Sequence, residues 1–154
     1  MIYFGVDPGK SGAIAAIWDD GQPFLTSCAR GDWTEHEQAE WLLQFDLERA
    51  RAVIEKVSSS PRQGVRSAFT FGRSYGFLRG LLAASKVSYQ EVGPRRWQQA
   101  MHCLSGGDKN VTKAEAQRRW PRMKITHRNA DAMLLAEYCR VESQKLQYQL
   151  GAAE

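Results

Sequence analysis

The sequence has 154 residues, of which 43% are hydrophobic and 25% are charged. This length and apolar content predict one compact domain, residues 1–154, with a buried core. The apolar runs are much shorter than the roughly 20 residues that a membrane span needs, and the N-terminus lacks a basic segment followed by an apolar signal core. We therefore expect a soluble, cytoplasmic protein without a membrane partner.

The cysteine content argues against a disulfide framework or a zinc site. Cys28, Cys103 and Cys139 are odd in number and have no paired spacing. A reducing compartment is the natural setting for such thiols, and we expect them to be ordinary buried or half-buried side chains.

The charge is mildly basic overall but unevenly distributed. The net charge is +4 and the isoelectric point is about 9.1. Residues 62–128 carry 14 basic and 3 acidic side chains, a balance of +11, whereas residues 1–61 carry 5 basic and 10 acidic ones. A basic block of this size favours a polyanionic partner such as nucleic acid, the alternative being a solvated face kept for solubility.

The first predicted elements are three short strands. They cover Ile2–Asp7, Ala13–Trp18 and Pro23–Cys28, and the hairpin signal Asp19-Asp20-Gly21 separates the second from the third. This pattern predicts an antiparallel meander.

The segment FGVDPGKSGA contains Gly-Lys-Ser and raises the question of a phosphate-binding loop. A Walker loop needs four residues between its first glycine and Gly-Lys-Ser/Thr, but Gly5 and Gly9 enclose only three. The apolar run that follows is strand-like, whereas a Walker loop leads into a helix. Asp7 is therefore the unusual residue, and it serves either a functional site or only the Pro-Gly turn.

A helix and a buried strand come next. Thr34 and Glu37 fit a capping box for a helix that ends near Ala50. The β-branched run 52–57 predicts a strand, and the polar stretch 58–64 predicts a loop of the kind that carries function.

The rest of the chain alternates helix and strand. The predicted elements are a helix over 66–84, a strand over Val87–Val92, a helix over Arg95–Leu104, a helix with a capping box of Thr112 and Glu115, and a final helix opened by Thr126. In the first of these helices, Gly72, Gly76 and Gly80 form a stripe that would let another helix approach closely. The order of elements predicts an α/β or α+β layered sheet with helices on its faces.

Three acids interrupt apolar surroundings. Asp7 ends the first strand, Glu55 lies near the end of the fourth, and Asp131 lies near the start of the last helix. Each alone would be an ordinary structural carboxylate, but three in one small domain favour a shared counter-ion. Oxygen ligands of this kind favour Mg²⁺ or Mn²⁺ over zinc.

His127 precedes Asp131 by four residues. On a helix the two side chains would share a face, which makes His127 a candidate fourth ligand or general base. The alternative is a histidine that simply faces solvent at the start of the helix.

These residues resemble a known family. FGVDPGKSGA, VIEKV and NADAMLLAEY look like the acidic set of RuvC-type Holliday junction resolvases, within the retroviral-integrase/ribonuclease H superfamily. PRQGVRSAFTFGRSYGFLRGLL and EVGPRRWQQAM most resemble phage-encoded and related short members. The resemblance spans nearly the whole chain, and a phage protein would work in the host cytoplasm.

The resemblance implies a ribonuclease H-like mixed sheet, with three antiparallel strands and then parallel strands, and with helices on both faces. It also implies a homodimer that nicks two opposed strands of a four-way DNA junction, as in DNA recombination and repair, and leaves 5′-phosphate and 3′-hydroxyl ends. Asp7, Glu55 and Asp131 would hold two Mg²⁺ ions, for which Mn²⁺ would substitute.

Two positions depart from the family pattern. Many members carry a further Asp or His three or four residues before the last Asp, and here His127 is the residue that could take this role. Some members place an aromatic wedge three residues after the strand Glu, where this chain has Ser58. Opening the junction would then need another residue, and the candidates, each also readable as a core residue, are Phe69, Phe71 and Tyr75.

Basic side chains near the predicted metal end and at a predicted helix start are candidates for DNA contacts. They are Arg62, Arg66, Arg73, Lys109 and Lys113, with Arg95 and Arg96 as weaker choices.

Other functions are open to the same residues. A ribonuclease H-like nuclease that acts mainly on flaps, forks or structured RNA is the main alternative. Sugar kinases and actin-like ATPases share the Asp-x-Gly-x-x-Gly start but need a second lobe, so we expect no nucleotide cofactor. A DNA-binding module without catalysis would gain affinity by replacing the three acids.

Overall fold

Within the part of the chain that the structure describes, five strands form one mixed sheet that is covered by helices. The computed structural model describes residues 1–9, 11–23, 28–29, 33–58 and 64–151. The strands are β1 (Ile2–Val6), β2 (Ala13–Trp18), β3 (Cys28–Ala29), β4 (Ala50–Glu55) and β5 (Ser88–Val92). The helices are α1 (Glu35–Leu43), α2 (Val65–Ala84), α3 (Pro94–Ala100), α4 (Lys109–Arg119) and α5 (Ala130–Gly151).

The order of the strands is β3-β2-β1-β4-β5. β1 pairs antiparallel with β2, and β2 pairs antiparallel with β3. β4 is parallel to β1, and β5 is parallel to β4. The predicted architecture of three antiparallel strands followed by parallel strands is therefore confirmed, and it brings the carboxyl ends of β1 and β4 together.

A separate hydrophobic core lies on each face of the sheet. Strand side chains alternate between the two faces, so Tyr3 and Val53 join the core under α3, α4 and α5, while Phe4 and Ile54 join the core under α1 and α2. Helices on both faces were predicted and are confirmed. No helix within the described ranges is long and apolar enough to cross a membrane.

The helix α5 lies directly against β1 at Gly5. A β-carbon at this position would overlap the carbonyl oxygen of Ala132 and the backbone nitrogen of Ala136. Because glycine has no β-carbon, the backbones of helix and strand approach more closely than any other residue would allow. This contact fixes the start of α5 near the end of β1.

The start of α1 matches the prediction and its end does not. The capping box of Thr34 and Glu37 is present, with the Thr34 backbone N–H donating to Glu37 at 2.6 Å. The helix ends at Leu43, a short 3₁₀ turn follows, and β4 begins at Ala50. The predicted helix was too long because Ala50 pairs with Ile2, and pairing with β1 outweighs local helix preference.

The start of α4 was predicted wrongly. The helix begins at Lys109, and the side chain of Asp108 accepts the backbone N–H of Asn110 at 2.9 Å. Thr112 is inside the helix, where its hydroxyl donates to the carbonyl of Lys109 at 3.3 Å. The capping box of Thr112 and Glu115 does not exist, because Asp108 caps the chain one turn earlier.

Three other boundaries shifted. Thr126 opens a turn rather than the last helix: its backbone N–H donates to the Asn129 side chain at 2.7 Å, and α5 begins at Ala130. The helix predicted over Arg95–Leu104 ends at Ala100. The third strand is Cys28–Ala29, Pro23 forms an isolated bridge with Ile17, and residues 24–27 of the predicted strand lie outside the described residues.

Two of the three cysteines are described with their side chains, and both are buried free thiols. Burial is the largest cause that raises the pKa of Cys103 to about 11 and that of Cys139 to about 12. The prediction of ordinary buried thiols is confirmed for these two.

Candidate active site

Asp7 follows β1 at its carboxyl end. Its backbone N–H donates to the carbonyl of Ala13 at 3.0 Å, so the hairpin pairing continues one residue beyond the strand. Strand alternation turns its side chain toward the α5 face, and only 9% of the residue is exposed. One carboxylate oxygen accepts the backbone N–H of Gly9 at 3.0 Å, so Asp7 does organise the turn.

The hairpin is closed tightly around Asp7. A β-carbon on Gly12 would overlap the carbonyl oxygen of Asp7, and one on Gly9 would lie 3.2 Å from its carboxylate. Because Gly9 and Gly12 have no β-carbon, the backbone can pass close to the carboxylate and the carbonyl of Asp7.

Glu55 ends β4, beside Asp7 in the parallel pair. Its neighbours Val53 and Ile54 belong to opposite cores, so Glu55 faces α5 again. The indole N–H of Trp97 donates to Glu55 Oε2 at 2.9 Å. Trp97 is completely buried, whereas Glu55 is half-buried.

The surroundings of Glu55 disfavour its ionised form. Burial and then the charge of Asp7 raise its pKa to about 7, and the charge of Asp131 adds to the rise. The hydrogen bond from Trp97 and the positive charge of Lys109 act in the opposite direction. The pKa of Glu55 therefore depends on the charges of both other acids and on the charge of Lys109, one of the lysines that were predicted to contact DNA.

Asp131 lies in the first turn of α5. Its Oδ1 atom is buried and has no hydrogen-bond partner among the described residues. An unpartnered buried carboxylate oxygen is costly, so this atom needs a cation or a donor that the described residues do not supply.

Oxygen donors from Asp7, Glu55 and Asp131 fit a divalent cation of the Mg²⁺ type. Within the described ranges, no three His, Cys, Asp or Glu side chains already close around an ion position. The charges of Asp7 and Asp131 both act on Glu55.

His127 lies in the turn before α5 and is exposed. The helical spacing on which its pairing with Asp131 was based is wrong, because residues 127–129 form a turn and α5 starts at Ala130. Its role as a ligand or base therefore stays a prediction.

The basic candidates occupy different environments. Arg73 forms an ion pair with Glu35 at 3.1 Å. Arg66 and Lys109 are exposed, Lys113 is half-buried, and Arg62 lies outside the described residues. Because Asp108 already caps the start of α4, a phosphate there would depend on the lysine side chains more than on helix N–H groups.

The aromatic candidates on α2 also differ. Phe69 is 73% exposed, whereas Phe71 and Tyr75 are half-buried. The hydroxyl of Tyr75 donates to Glu91 at 2.7 Å, and Arg79 lies over its ring at 5.6 Å from the centroid. Tyr75 therefore ties α2 to β5, as the core interpretation predicts, and Phe69 is the candidate that projects into solvent.

Trp97 was missed by the sequence reasoning. It lies on a short helix without a periodic pattern, and its contact with Glu55 spans 42 residues. The available signal was a tryptophan shortly after Gly93-Pro94, which does not specify a hydrogen-bond partner.

A mixed sheet in which the central strand β1 pairs antiparallel with β2 and parallel with β4, with helices on both faces and acids at the carboxyl ends of β1 and β4, defines a ribonuclease H-like α/β fold of the RuvC type. Two solved structures share it. The first is Thermus thermophilus RuvC in complex with a Holliday junction substrate, with a TM-score of 0.67, 17% identity, and coverage of 94% of this chain and 96% of that chain. The second is a structure of Thermus thermophilus RuvC, with a TM-score of 0.61, 15% identity and the same coverage.

At these identities, the likeness establishes the fold, and the predicted RuvC-type fold is confirmed. No family model matches the chain. No curated protein matches it either.

Proposed function

We propose that this chain is a RuvC-type crossover junction endodeoxyribonuclease, which resolves four-way DNA junctions by paired nicks with 5′-phosphate and 3′-hydroxyl ends. The observation that carries the proposal is the meeting of three acids on one edge of a RuvC-type sheet, where the charges of Asp7 and Asp131 both raise the pKa of Glu55. The RuvC of Thermus thermophilus was solved with a Holliday junction substrate, and we carry that substrate class over to this chain.

Asp7, Glu55 and Asp131 would hold the metal, with His127 as a further ligand. Two Mg²⁺ ions, or Mn²⁺ in their place, would activate the attacking water and stabilise the leaving oxygen of the phosphodiester. The unpartnered Oδ1 of Asp131 and the raised pKa of Glu55 support this assignment, since a cation would relieve both.

The protein's own groups orient these acids. The backbone N–H of Gly9 holds one oxygen of Asp7, and burial keeps competing water away from the carboxylate. Lys109 places a positive charge near Glu55, where it would bind a phosphate of the strand to be cut. His127 would accept a proton from the attacking water if it is not a ligand.

Basic side chains on two elements would hold the DNA backbone. Arg66 on α2 and Lys109 and Lys113 on α4 are candidates for phosphate contacts, and Arg73 would first have to leave its ion pair with Glu35. Arg62, which lies between β4 and α2 in the sequence and outside the described residues, is a fifth candidate. Such contacts would recognise backbone and shape, and cleavage-sequence preference would depend on other groups.

Phe69 is the aromatic side chain that we propose for opening the junction. The hydroxyl of Ser74 donates to the Pro8 carbonyl at 3.4 Å, so the middle of α2 lies against the loop that follows Asp7. Phe69 lies five residues earlier, about 7.5 Å along the helix axis, and its ring is exposed. An exposed aromatic ring at this distance could stack on an unpaired base.

We propose that the active form is a homodimer that pairs through α2. Val65 is exposed on this helix, and β-carbons on Gly72, Gly76 and Gly80 would meet nothing within 4 Å among the described residues. A two-fold dimer would set two sites against the two opposed strands of a junction.

Light scattering at micromolar concentration tests the dimer. We expect a dimer mass for the wild type, and a monomer mass for Gly76→Glu, because a charge would be buried where the two helices meet. A monomer mass for the wild type, both with and without junction DNA, would rule out the dimer.

Nicking of labelled branched DNA tests the activity. The purified protein would be incubated with a synthetic four-way junction, a flap, a fork and a linear duplex in Mg²⁺ or Mn²⁺, with Asp7→Asn as the matched control. We expect symmetric paired nicks on the junction that the control lacks. Equal or better cutting of flaps or forks would identify a general branch nuclease, and binding without cutting in either metal would overturn the enzymatic proposal.

A further inference from the structure

We infer that Trp97 is a positioning residue for the metal site, because its indole N–H holds Glu55 in the orientation that binds the cation. The inference rests on the proposed function of the three acids and adds a residue to it. The hydrogen bond joins Trp97 Nε1 to Glu55 Oε2 over 2.9 Å.

The position of the indole follows from the path of the backbone after β5, the strand that pairs with β4 at Glu55. Glu55 is paired with Val92 in the register of β4 and β5. Gly93 follows at once, and α3 begins at Pro94. Proline fits the first helical position, so the chain turns from strand to helix within two residues and Trp97 falls in the first turn of α3.

The chemistry of an indole makes this contact one-directional. The indole N–H can only donate a hydrogen bond. Trp97 can therefore bind a carboxylate oxygen of Glu55 but cannot itself be a ligand of the metal. The hydrogen bond to Oε2 restricts the orientation of the carboxylate, and Oε1 stays available to a cation. A glutamate without this bond would have to order several side-chain torsions when the metal binds.

Burial separates this contact from a surface hydrogen bond. Trp97 is completely buried in the core shared by α3 and α5, so its indole N–H has no access to water, and the half-buried Glu55 is the acceptor that it reaches. The bland alternative is that Trp97 only fills the core and Glu55 only satisfies its N–H. The two interpretations differ in metal affinity, since hydrogen bonds to metal ligands are worth about 10–100-fold in binding.

Trp97→Phe tests the inference, and Trp120→Phe is its matched control. Phenylalanine keeps most of the ring volume and removes the N–H. Trp120 is also a buried tryptophan, 8% exposed, and its indole donates to the Gly21 carbonyl at 3.0 Å, in the turn at the opposite end of β1 from Asp7. Both variants lose one buried indole hydrogen bond, but only one of these bonds reaches an acid of the site.

The primary measurement is Mn²⁺ binding to the full chain without DNA, by electron paramagnetic resonance or calorimetry. We expect the dissociation constant to rise about 10–100-fold for Trp97→Phe and to stay at the wild-type value for Trp120→Phe. Wild-type affinity in Trp97→Phe, or equal weakening in both variants, would overturn the positioning role. A wild type that binds no Mn²⁺ would overturn the proposed metal site itself, so the two failures are distinguishable.

The metal dependence of junction nicking gives a second readout. We expect Trp97→Phe to need more Mn²⁺ for half-maximal rate but to approach the wild-type rate at saturation. A loss of rate that saturating Mn²⁺ does not restore, together with wild-type Mn²⁺ affinity, would contradict the inference.

A wild-type measurement covers the case in which Trp97→Phe does not fold. The indole N–H resonances of ¹⁵N-tryptophan-labelled protein would be compared with those of Glu55→Gln to identify the one that senses Glu55. We expect that resonance to move when Mg²⁺ is added to the wild type. An unmoved resonance in protein that binds Mg²⁺ would count against the role of Trp97.

Discussion

Asp7 organises its turn and also lies within electrostatic reach of a second acid. Its carboxylate accepts the Gly9 backbone N–H, as a turn-forming Asp does, and its charge also reaches Glu55. Asp7, Glu55 and Asp131 could be predicted as candidate site residues because an acid in an apolar run is unusual in the sequence itself. Trp97 could not be predicted, because the acceptor of its indole N–H is known only once the fold brings the two residues together.

The raised pKa of Glu55 predicts that the metal-free protein loses stability as pH rises. Glu55 titrates near 7 when folded and near 4.5 when unfolded, so between these values the unfolded state binds fewer protons. The free energy of unfolding should therefore fall by roughly 1–3 kcal/mol from pH 4.5 to 7 and then level off, apart from other groups. Urea denaturation in EDTA at several pH values measures this change.

Glu55→Gln is the control for that titration. Its stability should lack this part of the pH dependence, since the amide does not ionise. Parallel stability curves for the two proteins would show that Glu55 titrates at its ordinary value.

The role of His127 is testable because its side chain is exposed and its removal leaves no cavity. We expect His127→Ala to slow junction nicking by about 100-fold, the lower end of what a general base contributes, while junction binding in Ca²⁺ stays unchanged. Unchanged nicking across a Mg²⁺ titration would remove His127 from the mechanism.

At the scale of elements, the packing of α5 on β1 positions the site. The order of strands and helices followed from hydrophobic periodicity, which is a local property. Periodicity did not predict that Asp108 caps α4 or that β4 begins at Ala50, because several residues nearby could cap the helix or pair with β1 equally well. Tertiary contacts made the choice, and they also set the distance between Asp7 and Asp131.

Gly5→Ala should damage the fold through this contact. A β-carbon would overlap the backbone of α5, so the helix must move, and we expect a loss of about 3 kcal/mol or more in the free energy of unfolding. Gly80→Ala is the control, because its β-carbon meets nothing within 4 Å and alanine favours helix by up to about 1 kcal/mol. Urea denaturation that gave both variants wild-type stability would mean that α5 does not pack on β1 this closely.

At the scale of the whole molecule, the basic middle of the chain is partly neutralised by its own acids. Arg79 pairs with Glu91, Arg118 and Arg119 pair with Glu115, and Arg73 pairs with Glu35. The balance of +11 already subtracts Glu91 and Glu115, but Glu35 and Glu137 lie outside residues 62–128 and pair with Arg73 and Arg119, so the balance overstates the charge that is available to DNA. Sequence gives the sum of the charges, but only the fold gives their pairing.

Arg66 and Arg73 offer a direct comparison of paired and unpaired charge on α2. No ion pair of Arg66 occurs within the described part of the chain, whereas Arg73 must give up Glu35 to reach a phosphate. We expect Arg66→Ala to lower the slope of log K against log salt for junction binding by about one, and Arg73→Ala to lower it less. Equal changes in the two slopes would show that the ion pair has no influence on DNA contact.

Two contacts of β1, its parallel pairing with β4 and its packing against α5, also affect the order in which the protein folds during synthesis. Ile2 pairs with Ala50, and Gly5 packs against the helix that begins at Ala130. Contacts between such distant segments form late in folding, because the intervening chain must first be closed into loops. During synthesis the ribosome therefore releases β1 long before α5 exists, and a partly made chain holds Asp7 and Glu55 without Asp131. All three acids are present only in the finished domain, so a nascent chain would lack the nuclease activity that we propose.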